Sequence, residues 1–96
     1  MVTIKVYGSM GCYENKTSKW IFNKLFIDYP AVPREGEKFQ FCEIVEKVAE
    51  VKWNESGDIT IELEFFRTHE EEVEKIIGDL TKSGWEVNKF YLPTGS

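Results

Sequence analysis

The sequence has no apolar run approaching the roughly 18 residues that a membrane-spanning helix requires. Its longest candidate, residues 20–27, is interrupted by Asn23 and Lys24. Residues 1–5 alternate as an ordered strand would and lack the charged head and apolar middle of a signal peptide. No membrane association is expected. Cysteine is scarce, with Cys12 and Cys42 alone, and His69 is the single histidine. A secreted disulfide scaffold of this size would carry more cysteines, so two free thiols in a reducing cytoplasm are expected. A Cys/His zinc site needs four ligands, which these residues cannot supply. No metal and no cofactor is expected. No phosphate-binding glycine loop is present either: Gly8-Ser9-Met10-Gly11 follows a strand but lacks the required spacing and a helix behind it.

Positive charge is scarce where it would matter for nucleic acid. Residues 1–48 hold seven Lys/Arg against six Asp/Glu, a balance of +1, and residues 49–96 hold five against eleven, a balance of -6. Nucleic-acid affinity comes largely from phosphate neutralisation by Lys and Arg, so the acidic second half argues against direct binding. Ninety-six residues suffice for one domain and no more.

What is there is mostly strand. Val2, Ile4 and Val6 alternate with Thr3, Lys5 and Tyr7, a period of two that predicts a half-buried strand ending at Gly8. The polar, glycine-bearing stretch Gly8–Ser18 reads as a surface loop. Residues 19–29 fit a strand covered on both faces or a short helix with Ile21/Leu25 and Phe22/Phe26 at i,i+4; their aromatic and β-branched content favours a second strand, stopped by Pro30 and Pro33. After a Pro-Gly turn at 33–37, Phe39 and Phe41 begin a third strand. Residues 43–50 fit either a helical spacing or a bulged strand, and a bend followed by a strand over 48–53 is the preferred reading. Residues 54–58 form a hairpin turn, beyond which Ile59, Ile61, Leu63 and Phe65 alternate with Thr60, Glu62 and Glu64.

One helix is predicted. Thr68 stands three residues before Glu71, the capping-box spacing. Val73, Ile76, Ile77 and Leu80 form one apolar stripe, acidic residues crowd the first turn, and Gly84 supplies the stop. Residues 85–91 give a last strand closed by Pro93, and residues 94–96 are expected to be a flexible tail. The expectation is a single α+β domain over 1–96: a curled, mostly antiparallel sheet of about five strands with one helix in the C-terminal half, in the order β-β-β-β-α-β.

No catalytic constellation is visible. Nothing in the spacing brings Cys12 or Cys42 to His69 with a group to orient the imidazole. The glutamates Glu62 and Glu64 on a strand face, and Glu70, Glu71 and Glu74 at a helix start, are explained by solvation and by the helix dipole. Their density nevertheless suits a surface that imitates phosphates toward a basic protein partner. Aromatic residues are numerous, 14 of 96. Tyr13 and Trp20 beside the Gly8–Ser18 stretch, with Lys16 and Lys19, would suit an anionic small ligand.

Residues 25–39, followed by Val48–Trp53 and Ile59–Leu63, resemble a pattern in small accessory proteins of bacteriophages and mobile elements. A Pro-Gly-acid turn precedes a strand, then come a valine-spaced strand ending in an aromatic and an alternating hairpin partner. The resemblance covers about 40 residues and carries over no catalytic residue. It implies a small accessory protein, a kind that includes inhibitors of host defence, both those that block a protein and those that sequester a nucleotide signal. Two functions are therefore expected of a non-enzymatic, cytoplasmic binding protein. The first is an anti-defence inhibitor binding a host protein through Glu62, Glu64, Glu70, Glu71 and Glu74. The alternative is a binder of a nucleotide-like anion through Tyr13, Lys16, Lys19 and Trp20, for which a homo-oligomer is compatible.

Overall fold

The computed structural model describes residues 2–91, and one long strand, β1 (Val2–Cys12), organises them. Ile4, Val6 and Met10 are fully buried on one of its faces, while Lys5, Tyr7 and Ser9 occupy the other. The loop expected from Gly8 does not form, and the strand runs on to Cys12. The reason is close packing. Gly8 stands opposite Phe22, whose ring fills the space a side chain at Gly8 would need. At Gly11 an added Cβ would lie 2.5 Å from the ring of Phe65. Glycine inside a strand here marks the approach of an aromatic ring, not a turn.

The true turn is residues 13–17, where Asn15 Oδ1 accepts hydrogen bonds from Thr17 N–H at 3.1 Å and Thr17 Oγ1 at 2.6 Å. It leads into β2 (Ser18–Tyr29), antiparallel to β1. Next come β3 (Lys38–Phe41) and β4 (Ile44–Trp53). The expected bend before Val48 is replaced by strand from Ile44 onward. Cys42 and Glu43 both adopt positive φ, 46° and 66°, and reverse the chain in two residues. A register shift between Val48 and Glu50 inserts Ala49 as a bulge, which explains the mixed spacing of this stretch.

β5 (Ile59–Leu63) buries Ile59, Ile61 and Leu63 and pairs with β4 antiparallel and with β1 parallel. The chain then leaves the ladder for two residues and returns as β6 (Phe66–Thr68), parallel to the far end of β1. The helix α1 (Glu70–Lys82) follows, then β7 (Glu86–Tyr91) on the edge of β2. The capping box expected at Thr68 and Glu71 is not made. His69 is the N-cap, without a side-chain cap of its own, and buried Thr68 donates its hydroxyl to Glu72 Oε2 at 3.0 Å.

Seven strands thus form one mixed, curled sheet in the order β3-β4-β5-β1-β2-β7, with β6 beside β1. Four of its six pairings are antiparallel. The class is α+β, with two more strands than expected. Val73 and Leu80 of α1 join Ile4, Val6, Met10, Phe22, Ile61 and Trp85 in one core. Phe39 and Phe41 of the short hairpin close the same side, so helix and hairpin together cover a single face of the sheet. Among the described residues no layer covers the opposite face. Residues 94–96, the expected tail, lie outside the described residues. Among the described residues no helix is long and apolar enough to cross a membrane.

Candidate functional site

The uncovered face is built by strand parity. Lys5, Tyr7 and Ser9 of β1 point to it, as do Lys19, Ile21 and Leu25 of β2 and Thr60 and Glu62 of β5. Side chains on one face of paired strands stand close enough to act together. A groove of about 410 Å³ follows this face, lined by Tyr7, Ser9, Lys19, Ile21, Lys52, Thr60 and Glu62.

At the far end of β1 the register gathers positive charge. Gly11 stands opposite Lys19 of β2 on one side and Arg67 of β6 on the other, so the three form a row across the sheet. The absent side chain at Gly11 leaves space between two cations, and Phe65 fills it. Lys19 Nζ lies 5.7 Å from the Phe65 ring centroid and Arg67 Cζ lies 5.0 Å from it. A ring face attracts each cation and holds its long side chain in place. Lys16, from the 13–17 turn, lines the same small cavity of about 120 Å³ with Gly11, Cys12, Ser18, Lys19, Phe65 and Arg67. The ion pairs among the described residues are Lys52–Glu50 and His69–Glu14, so Lys16, Lys19 and Arg67 have no carboxylate partner within 4 Å.

The turn that carries Lys16 is tied to the start of α1. Glu14 Oε2 accepts the Glu70 backbone N–H at 2.8 Å, and Glu14 Oε1 lies 2.8 Å from His69 Nδ1. Cys12 Sγ donates to Glu14 Oε2 at 3.3 Å, and Tyr13 N–H bonds the Thr68 carbonyl at 3.0 Å. Tyr13 also packs against His69, with ring centroids 5.1 Å apart and the ring planes tilted by 41°. The hydrogen bond from His69, the Glu70 amide and the Cys12 thiol pull the Glu14 carboxyl down from 4.5 to about 2. The same bond and the charge of Glu14 raise His69 above its ordinary 6.5.

The residues singled out from sequence are dispersed by the fold. Lys16 and Lys19 line one cavity, and Arg67 lines it with them. Trp20 does not join them: it faces the core at 9% exposure, with Lys89 Nζ 5.4 Å from its ring. Tyr13 is exposed but engaged with His69. Glu70, Glu71 and Glu74 line a separate cavity of about 340 Å³ with Trp20, Ser18 and Lys89. Glu62 lies on the uncovered face. Glu64 lies past the end of β5, where its charge, after burial, helps raise the carboxyl of Glu46. The five glutamates therefore form no single surface.

Sequence reasoning missed Arg67 and Phe65, because β6 is three residues long and its pairing with β1 spans most of the chain. Among the described residues no three His, Cys, Asp or Glu side chains are grouped to hold a metal ion. Comparison with protein-family models, curated proteins and solved structures gives no match to this chain.

Proposed function

We propose that the protein is a non-enzymatic binding protein that captures a small anionic ligand at the end of its uncovered sheet face. The row Lys19–Gly11–Arg67, joined by Lys16 and lacking carboxylate partners, carries this reading. In a chain of net charge -5, three unpaired cations around one cavity are a local inversion of sign. The free thiols Cys12 and Cys42 fit a reducing compartment, the cytoplasm. The likeness of residues 25–39 to phage accessory proteins supplies a setting, sequestration of a signal used by host defence. Thermal unfolding with a panel of phosphate, sulfate, citrate and nucleotides tests the reading. A ligand at about 100 times its Kd stabilises by about 2.7 kcal/mol, and Lys19→Glu with Arg67→Glu should abolish the shift. No shift with any anion sinks the proposal.

A second reading rests on a different observation. Glu70, Glu71 and Glu72 are exposed in the first turn of α1, with Glu74 following. This acidic end suits a basic surface of a host protein, bound at a rate that falls with salt. Glu70→Lys with Glu74→Lys should abolish such binding and leave anion capture unchanged; binding that survives the reversal excludes this reading.

A further inference from the structure

The covered side of the sheet holds a second cavity, of about 340 Å³, between β2 and the first turns of α1. Glu70, Val73, Glu74 and Ile77 fall at i, i+3, i+4 and i+7, one stripe of the helix, and all four line it. Val73, Ile77 and Trp20 give it an apolar floor, and the exposed carboxylates of Glu70, Glu71 and Glu74 form its rim. Like charges at i,i+4 repel, so this placement costs helix stability unless a cation answers it. Among the described residues none of the three glutamates has an ion-pair partner within 4 Å. Ser18 supplies the independent observation. It has the strand parity of buried Trp20 and Phe22, so its side chain turns to the helix side, away from Lys19 and into this cavity. Ser18 is 2% exposed, and its Oγ has no hydrogen-bond partner among the described residues. A buried hydroxyl is rarely left so, because taking it from water without replacing the bond is costly.

We propose that this cavity binds a primary alkylammonium ion, which donates to Ser18 Oγ and to the rim carboxylates. Among the described residues the carboxylates are not grouped to hold a metal ion, so their charge is spread along the rim. Spread acceptors suit an ammonium head with several N–H donors, and its methylene stem suits the floor of Trp20, Val73 and Ile77. The Trp20 ring already attracts a cation, since Lys89 Nζ lies 5.4 Å from its centroid. Lys89 also lines the cavity, where its charge competes with the ligand. This site does not depend on the anion cavity across the sheet. A free aliphatic diamine and a lysine side chain of a protein both present the required group.

Isothermal titration of the full chain at low salt with putrescine, N-acetyl-lysine amide and tetramethylammonium tests this. Putrescine, the lysine amide or both should bind, and the tighter of the two identifies the source. Tetramethylammonium carries the charge without a donor and should bind at least tenfold more weakly. Ser18→Ala should weaken the amine about tenfold, the loss of one hydrogen bond to a charged group. Its own melting temperature should be unchanged or higher, because the unsatisfied hydroxyl is gone. Lys89→Gln should tighten the amine a few-fold by removing the competing charge. Lys19→Glu with Arg67→Glu should leave amine binding in place while abolishing anion capture. Equal amine binding by Ser18→Ala overturns the inference, as does tetramethylammonium matching the amines. Amine binding lost with Lys19→Glu and Arg67→Glu, or absent for both amines at millimolar concentration, overturns it too, and leaves the anion reading to its own test.

Discussion

Glu14 Oε1 lies 2.8 Å from Nδ1 of His69, joining the turn that carries Lys16 to the residue that opens α1. The other oxygen of the same carboxylate takes the first free amide of the helix, that of Glu70. A side chain distant in sequence therefore performs the capping that local residues do not. The pair makes stability depend on pH in two opposite limbs. His69 is raised by Glu14, so its contribution is whole below about 6.5 and is lost as pH rises through the shifted value. Glu14 is lowered, so its contribution is whole above 4.5 and is lost as pH falls toward about 2. The pair contributes most between these limits. Melting temperature measured across pH should fall on both sides of that window, and Glu14→Gln should flatten both limbs relative to the parent. Parallel profiles for the two proteins would show that the contact adds nothing.

The glycines of β1 make separable predictions. A side chain at Gly8 collides with Phe22 in the core, where overpacking typically costs about 1–3 kcal/mol. At Gly11 the obstructed ring is Phe65, whose partners are the cations Lys19 and Arg67. Gly8→Ala should thus lower the urea midpoint while leaving anion affinity per folded molecule intact. Gly11→Ala should displace Phe65 and weaken anion capture with a smaller stability loss. Equal effects of both substitutions on both measurements would contradict this division.

These glycines also show where the sequence was legible. Strands with alternating apolar residues, such as Ile59–Leu63, and the helix with Val73, Ile76, Ile77 and Leu80 on one stripe, carry their periodicity in adjacent residues. Gly8 and Gly11 carry theirs in distant rings, so without Phe22 and Phe65 in place they resemble a loop. The turn at Cys42 and Glu43 contains neither Gly nor Asn and gives no sign of its positive φ. Lys16 and Lys19 were legible as neighbours. Arg67 was not, because only the parallel pairing of β6 with β1 brings it to Gly11. Glu62 and Glu64 were expected to share a face; both are exposed on either side of buried Leu63, and the Glu64 N–H still bonds the Lys47 carbonyl at 2.9 Å.

Trp85 links three elements that share no chain neighbourhood. It is 5% exposed, and its ring centroid lies 5.5 Å from Phe22, 5.8 Å from Phe26 and 5.1 Å from Phe41. It enters immediately after Gly84 ends the helix with φ of 88°, and its own N–H bonds the Leu80 carbonyl at 2.9 Å. Trp85→Ala removes the contact between β2, the β3–β4 hairpin and the helix end at once. The expected cost is about 3–5 kcal/mol, a large part of what a small domain possesses. Urea unfolding should show that loss, with Trp85→Phe intermediate. A loss below about 1 kcal/mol for the alanine variant would mean the hairpin is held elsewhere.

Glu62 opposes Tyr7 and Glu50 in register and lines the groove that Lys19 shares with the cationic cavity. Its charge works against any anion arriving there, while its carboxylate offers an acceptor to a ligand's hydroxyl or amine. The two roles separate in one substitution. Glu62→Gln removes the negative charge, keeps an acceptor oxygen and adds donor hydrogens. Inorganic phosphate should then bind a few-fold more tightly, the scale of an exposed charge interaction. A phosphomonoester should gain less than inorganic phosphate, because its hydroxyl or amine loses a charged acceptor. Titration of both ligands against both proteins gives the comparison. Equal gains would make Glu62 a bystander that only repels, and no gain for either would place the anion away from Lys19 altogether.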